Sequence, residues 1–299
     1  MSGGSPHPTF LGLPEGTNQA LRGAVIVPVP YDGTSTWHKG SDRGPRALVD
    51  ASAAVELYDI ETATEPWRNG IRTLAALECP PDPESMSAVV RNVIAEILEG
   101  DELPVVVGGE HSVTIGAVNA SSDRFDDLTV LQIDAHADTR EEYEGSSHNH
   151  ACVMARARER CPIIQVGIRA VDESEMPGLD PARVFWAHDI VPASDDSWMA
   201  DVVELLTANV YVTIDLDAFD PSLIPATGTP EPGGLDWYPV NRLLRRVARA
   251  SRVVGFDVVE LLPAAGHHAS AFTAAKLVHR FLAEIGAARG ATSREAPQK

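Results

Sequence analysis

Eight short apolar runs recur along the chain: AVIVPV (24–29), TLAAL (73–77), PVVVG (104–108), LTVLQI (128–133), IIQVGI (163–168), VFWAH (184–188), VYVTI (210–214) and RVVGFDV (252–258). Most are apolar at every position rather than at alternate ones. That pattern marks strands covered on both faces, as in a parallel sheet with helices on either side. The stretches between them read as helices over 45–57, 83–99, 112–120, 150–160, 200–208, 239–250 and 269–287. In the clearest, Met86, Val89, Val90, Val93, Ile94, Ile97 and Leu98 recur at helical spacing, with Pro83 near the start and Gly100 past the end. This rhythm predicts an α/β protein: a three-layer α/β/α fold with a mostly parallel central sheet. With no internal repeat and no dividing linker, residues 1–299 read as one domain, with 1–12 and 292–299 loosely held.

Charge limits the partners. The chain carries 43 acids against 24 bases, a formal net charge of −19, which disfavours nucleic acid and anionic membrane surfaces and favours a cationic small molecule or a bound metal. No run approaches the ~18 apolar residues of a membrane span. The opening MSGGSPHPTF lacks the basic and apolar regions of a signal peptide. Cys79, Cys152 and Cys161 have no metal-like spacing and read as reduced packing thiols, so a cytoplasmic protein is expected.

The chemistry concentrates at three strand ends. LQIDAHADTR (131–140) places Asp134, His136 and Asp138 on every second residue, hence on one side, where the chain leaves a strand. VYVTIDLDAFDPS repeats the pattern with Asp215 and Asp217, and PVVV runs through Gly108-Gly109 to Glu110 and His111. One such fragment means little, because Asp caps turns and a lone His usually satisfies a local hydrogen bond. Together they place four Asp and two His where ligands bind in parallel α/β sheets. Four carboxylates in one crevice repel unless cations or protons neutralise them. Two divalent ions balance the four charges, and mixed imidazole and carboxylate donors suit Mn, Zn, Fe or Ni better than Ca.

The motifs GGEHS (108–112), DAHAD (134–138), DLDAFDPS (215–222) and TGTPEPGG (227–234) resemble, in order and spacing, the ureohydrolase family that includes arginases and agmatinases. The likeness extends from PVPYDGTSTWHKGSDRGP (28–45) to GFDVVELLP (255–263). It implies an arginase-type fold, two Mn²⁺ ions per chain, and urea as a product. By motif, His111 would bind one metal and His136 the other, with Asp134 and Asp215 bridging. Asp138 would complete the first set and take a hydrogen bond from the water-derived nucleophile, and Asp217 would complete the second. Glu260 matches the acid that anchors the substrate guanidinium, a planar donor fork that a carboxylate meets in kind. A proton-shuttling His follows the DAHAD strand in the family. SSHNHACVMARAR offers His148 and His150, and the position directly before a small residue and a helix selects His150.

The block TGTPEPGG and the run DAHADTREEYEG are closer to bacterial agmatinases than to arginases, implying agmatine as substrate and putrescine and urea as products. Arg140 stands where arginases carry a short polar residue. It reads either as a partner for a substrate carboxylate, as in 4-guanidinobutyrate, or as a structural pair with Glu141 or Glu142. Arginine, 3-guanidinopropionate and guanidine stay open as substrates, as does a mononuclear Zn deacetylase on the related fold or a non-catalytic metal-binding relative. The resemblance also implies a homo-oligomer, a trimer or hexamer.

Overall fold

The structure, a computed structural model, describes residues 7–14, 17 and 23–295, with the side chains of 291–295 excepted. Eight strands form one sheet: β1 Ala24–Val29, β2 Ile71–Thr73, β3 Leu103–Gly108, β4 Leu128–Ile133, β5 Ile163–Ile168, β6 Val184–Trp186, β7 Asn209–Asp215 and β8 Arg252–Val259. Their order is β2-β1-β3-β8-β7-β4-β5-β6, and every pairing is parallel. The helices are α1 Gly44–Ser52, α2 Pro83–Glu99, α3 Val113–Arg124, α4 Val153–Arg158, α5 Ala187–Ile190, α6 Trp198–Glu204, α7 Trp237–Ala250 and α8 Ala269–Glu295.

Alternation within the apolar strands builds the three layers. Ile26, Val105, Leu131 and Val212 face one core with Leu48 of α1, Val202 of α6, Leu243 of α7 and Phe281 of α8. Their neighbours Val25, Val106, Val130 and Tyr211 face a second core with Met86 and Ile94 of α2, Val113 of α3 and Met154 of α4. Each side chain this fully buried contributes roughly 1.5–3 kcal/mol. Helix α2 starts as its sequence predicts: Asp82 caps it by accepting from the Ser85 N–H, and Pro83 opens the first turn. Its end differs, because Gly100 stays right-handed (φ −71) and Asp101 takes the left-handed turn (φ 57).

Other boundaries shift for local reasons. The strand expected at 73–77 is β2, at 71–73. Its ladder runs only to Ile26↔Thr73, because the next residue of β1 facing that edge is Pro28, which has no N–H to give. The run 184–188 divides, since Ala187 and His188 open α5. The helix expected over 150–160 starts as a 3-10 turn, His150–Cys152, before α4. The expected helix over 45–57 ends at Ser52, whereas α8 runs on to Glu295. Part of 1–12 and of 292–299 lies outside the described residues. Within the described part, Phe10 and Leu11 are packed into the core, and the Leu11 N–H donates to Ser52 Oγ, so this piece is held rather than loose. No helix among the described residues is long and apolar enough to cross a membrane.

Candidate metal centre

Strands β3, β8, β7 and β4 are neighbours at the middle of the sheet, and because they run parallel their carboxyl ends meet on one edge. The turn after β3 needs glycine: a Cβ on Gly109 would lie 1.9 Å from the Tyr31 carbonyl oxygen. It delivers His111, while β4 delivers Asp134, His136 and Asp138, β7 delivers Asp215 and Asp217, and β8 delivers Glu260.

The six expected ligands come together. His111 Nδ1 lies 2.9 Å from Asp138 Oδ2, 3.2 Å from Asp134 Oδ2 and 3.5 Å from Asp215 Oδ2. His136 Nδ1 lies 3.0 Å from Asp217 Oδ2 and 3.8 Å from Asp134 Oδ1. Two groups could each hold an ion, His111-Asp134-Asp215 and Asp134-His136-Asp217, with Asp134 in both.

The spacing of two along the chain also orients the carboxylates. Asp134 Oδ1 accepts from the His136 N–H at 2.7 Å, and Asp215 Oδ1 from the Asp217 N–H at 2.9 Å. Each is a short side-chain-to-backbone turn of the kind Asp favours. Asp134 Oδ2 also accepts from Gln132 Nε2 at 2.7 Å, and Gln132 is itself held by Gln165 at 2.6 Å. Asp138 (φ 53) and Glu260 (φ 65) both sit in the left-handed region, where a non-glycine residue costs on the order of 1–3 kcal/mol.

The tautomer of His111 follows from its neighbours. Thr213 Oγ1 donates to Asp257 Oδ1 at 2.6 Å, which uses its only proton. It lies 2.8 Å from His111 Nε2 and must accept there, so Nε2 carries the hydrogen. Nδ1 is buried, has no hydrogen-bond partner among the described residues, and faces three carboxylates. Whatever sits at that nitrogen must be positive, a proton or a metal ion, and the donor set fits a divalent ion.

Electrostatics agree. Burial, then the charges of Asp138 and Asp217, pushes Asp134 up to about 7. Burial, then Asp217, Asp134 and Glu260, raises Asp215 well above the carboxylate range. Burial also raises Asp217, but pairing with His136 outweighs it and holds that acid down to about 2. Burial opposes charge on the imidazoles, yet the adjoining acids lift His111 well above its usual value and His136 to about 10.

A cleft of about 360 Å³ opens over the cluster, lined in part by His150, Glu260, Arg140, Tyr143, Glu175 and Trp37. Glu260 Oε1 accepts from the His111 N–H at 2.8 Å, and burial followed by the charge of Glu110 raises its carboxyl well above the usual range. His150 is held by Thr34: its N–H donates to Thr34 Oγ1 at 2.9 Å, and the same oxygen lies 3.1 Å from Nδ1, which fixes the ring. His148 does not line the cleft; it contacts Ser146 and Ser147.

Arg140 departs from the sequence reading. It pairs with neither Glu141 nor Glu142; Glu141 bonds Arg156 and Arg158 instead. Arg140 reaches Asp172 and Glu175, each at 3.4 Å, and lies 4.7 Å from the Tyr143 ring centre.

Sequence reasoning missed several supports. Arg169, unpaired with any acid among the described residues, donates to six backbone carbonyls. The shortest are to Asp217 O (2.6 Å) and Glu231 O (2.7 Å), which tie the Asp217 turn to the TGTPEPGG loop. Gln132, Gln165 and Asp257 are polar residues inside otherwise apolar strands, a signal that could have marked them.

Residues 22–283 match the family model described as Arginase family. An N(1)-aminopropylagmatine ureohydrolase of Synechocystis sp. is 38% identical over 281 residues, covering 90% of this chain and 91% of that protein. An agmatinase of Pyrococcus horikoshii is 32% identical, covering 85% and 89%. The crystal structure of the agmatine ureohydrolase of Thermoplasma volcanium superposes with a TM-score of 0.82 at 31% identity, covering 91% and 92%.

Proposed function

This chain belongs to the arginase family, and from that premise we propose that it releases urea from an agmatine-type guanidine, using two Mn²⁺ ions held by His111, Asp134, His136, Asp138, Asp215 and Asp217. The observation that carries the metal reading is the bare Nδ1 of His111 among three carboxylates. A pair of divalent ions there would lower the pKa of a shared water from 15.7 towards ~7 and so supply a nucleophile at neutral pH.

The chain's own residues do the rest. Glu260 offers a carboxylate beside the cluster to the planar guanidinium, fixing the carbon that reacts. Asp138, within reach of both His111 and the cleft, orients the attacking group and takes up its proton. His150, as the imidazolium, gives a proton to the departing amine, and the proton held by Asp138 restores it.

The tail is read by charge. Away from the ligands, the cleft presents Asp172, Glu175 and Glu231 against the single guanidinium of Arg140, a formal surplus of two negative charges. That favours a tail with two ammonium groups, as in the N-aminopropyl derivative of agmatine, over agmatine with one. It disfavours tails ending in a carboxylate. Urea release with Mn²⁺ from N(1)-aminopropylagmatine, agmatine, arginine and 4-guanidinobutyrate tests the reading. The highest kcat/KM should fall on the aminopropyl compound, then agmatine; a maximum on either carboxylated compound overturns it.

A further inference from the structure

We propose that Arg140 sets the specificity of the cleft by occupying, as a tethered cation, the two acids that a substrate ammonium set close behind the guanidine would use. The proposal rests on the ureohydrolase reading above for its substrates, though not for its binding test.

Glu175 is 6% exposed, and Arg140 is the only cation within ion-pairing distance of it among the described residues. A carboxylate so buried stays ionised only with a cation beside it. Arg140 meets the requirement from several sides. Nε lies 3.4 Å from Glu175 Oε1, Nη2 lies 3.4 Å from Asp172 Oδ2, and the guanidinium packs over the Tyr143 ring at 4.7 Å. Its backbone N–H donates to Ala151 O at 3.1 Å, which fixes the residue beside His150. Tyr143 in turn meets the His150 ring edge-on, with centres 6.2 Å apart.

Arg140, Tyr143, Asp172, Glu175 and His150 all line the cleft. A free ligand that needs Asp172 and Glu175 must therefore displace a cation already attached to the wall, and a tethered group competes at an effective concentration in the millimolar range or above. Agmatine, with its single ammonium on the fourth carbon from the guanidine, faces that competition. A longer tail has a second acid, Glu231, outside the Arg140 pair, and can bind with Arg140 in place. Specificity then comes from a repulsive element built into the site as well as from attraction.

The test uses full-length, Mn²⁺-loaded protein with Arg140→Ala and Arg140→Gln, the second keeping side-chain bulk over Tyr143 without charge, and Arg140→Lys as the charge-retaining comparison. In both neutral variants, kcat/KM for agmatine relative to N(1)-aminopropylagmatine should rise about tenfold or more, mainly through a lower KM for agmatine. Arg140→Lys should stay within about threefold of the parent. Independently of turnover, 1,4-diaminobutane should raise the Tm of Arg140→Ala more than that of the parent, because the diamine now fills the freed acids. An unchanged ratio together with equal diamine shifts overturns the proposal. So does a selective loss of arginine and 4-guanidinobutyrate turnover, which would make Arg140 a receptor for carboxylates. If the parent releases urea from no guanidine, the ureohydrolase reading fails, and the diamine melting comparison still decides the role of Arg140.

Discussion

Thr213 and Asp257 lie side by side in register on β7 and β8, with Thr213 Oγ1 donating to Asp257 Oδ1 at 2.6 Å. Tyr211 and Thr114 also donate to Asp257 Oδ2, at 2.8 and 2.9 Å, so this buried acid is satisfied by three hydroxyls. The consequence reaches the cluster, because Thr213 can then only accept from His111. Thr213→Val keeps the shape and removes the acceptor. Metal affinity should fall about 10–100-fold, measured by titration against a chelator, with the fold intact by circular dichroism.

Asp138 and His150 carry the proton steps in this account. Asp138→Asn and His150→Ala should fold normally and lose about 10²–10⁴ in kcat for urea release. Near-normal kinetics in both variants would reject the assignments.

Arg169 acts on shape. Arg169→Ala leaves the carbonyls of Asp217 and Glu231 without their donor and should lower unfolding stability by about 3 kcal/mol, at roughly 1.5 for each charged hydrogen bond lost. Arg169→Lys keeps the charge without the planar fork and should recover only part of that stability in thermal melts. Full recovery by Lys would show that charge alone suffices.

The parts legible in the sequence are those that local pattern dictates. Apolar runs exposed the strands, helical spacing exposed α2, and the alternation of Asp134, His136 and Asp138 exposed one flank of the cluster. Long-range relations were hidden. Nothing local says that β3, β8, β7 and β4 are neighbours, since their order in the sheet is not their order in the chain. Arg169 bonds to backbone carbonyls, which have no residue identity to read. The partners of Arg140 lie more than thirty residues downstream, while Glu141 and Glu142 adjoin it; proximity in sequence pointed the wrong way. Strand β2 ended early because of a proline on a different strand.

Glu175 predicts a pH effect. Burial, then the charge of Asp138, against the pull of Arg140, raises its carboxyl from 4.5 to about 7. Between those values the folded state binds more protons than the unfolded one, so stability falls as pH rises through that window. Glu175→Gln cannot ionise there. In metal-free protein, the Tm difference in favour of the variant should therefore grow from about pH 4.5 to 7 and level off above. Parallel Tm curves for the two proteins would refute this.

Everything proposed for the reaction depends on six side chains from three strand ends holding a pair of ions. The direct measurement is metal content by mass spectrometry, on protein reconstituted with Mn²⁺ and freed of excess by gel filtration. Two ions per chain are expected, falling to about one in His136→Ala as the second ligand group fails. One ion per chain or fewer in the unaltered protein would contradict it.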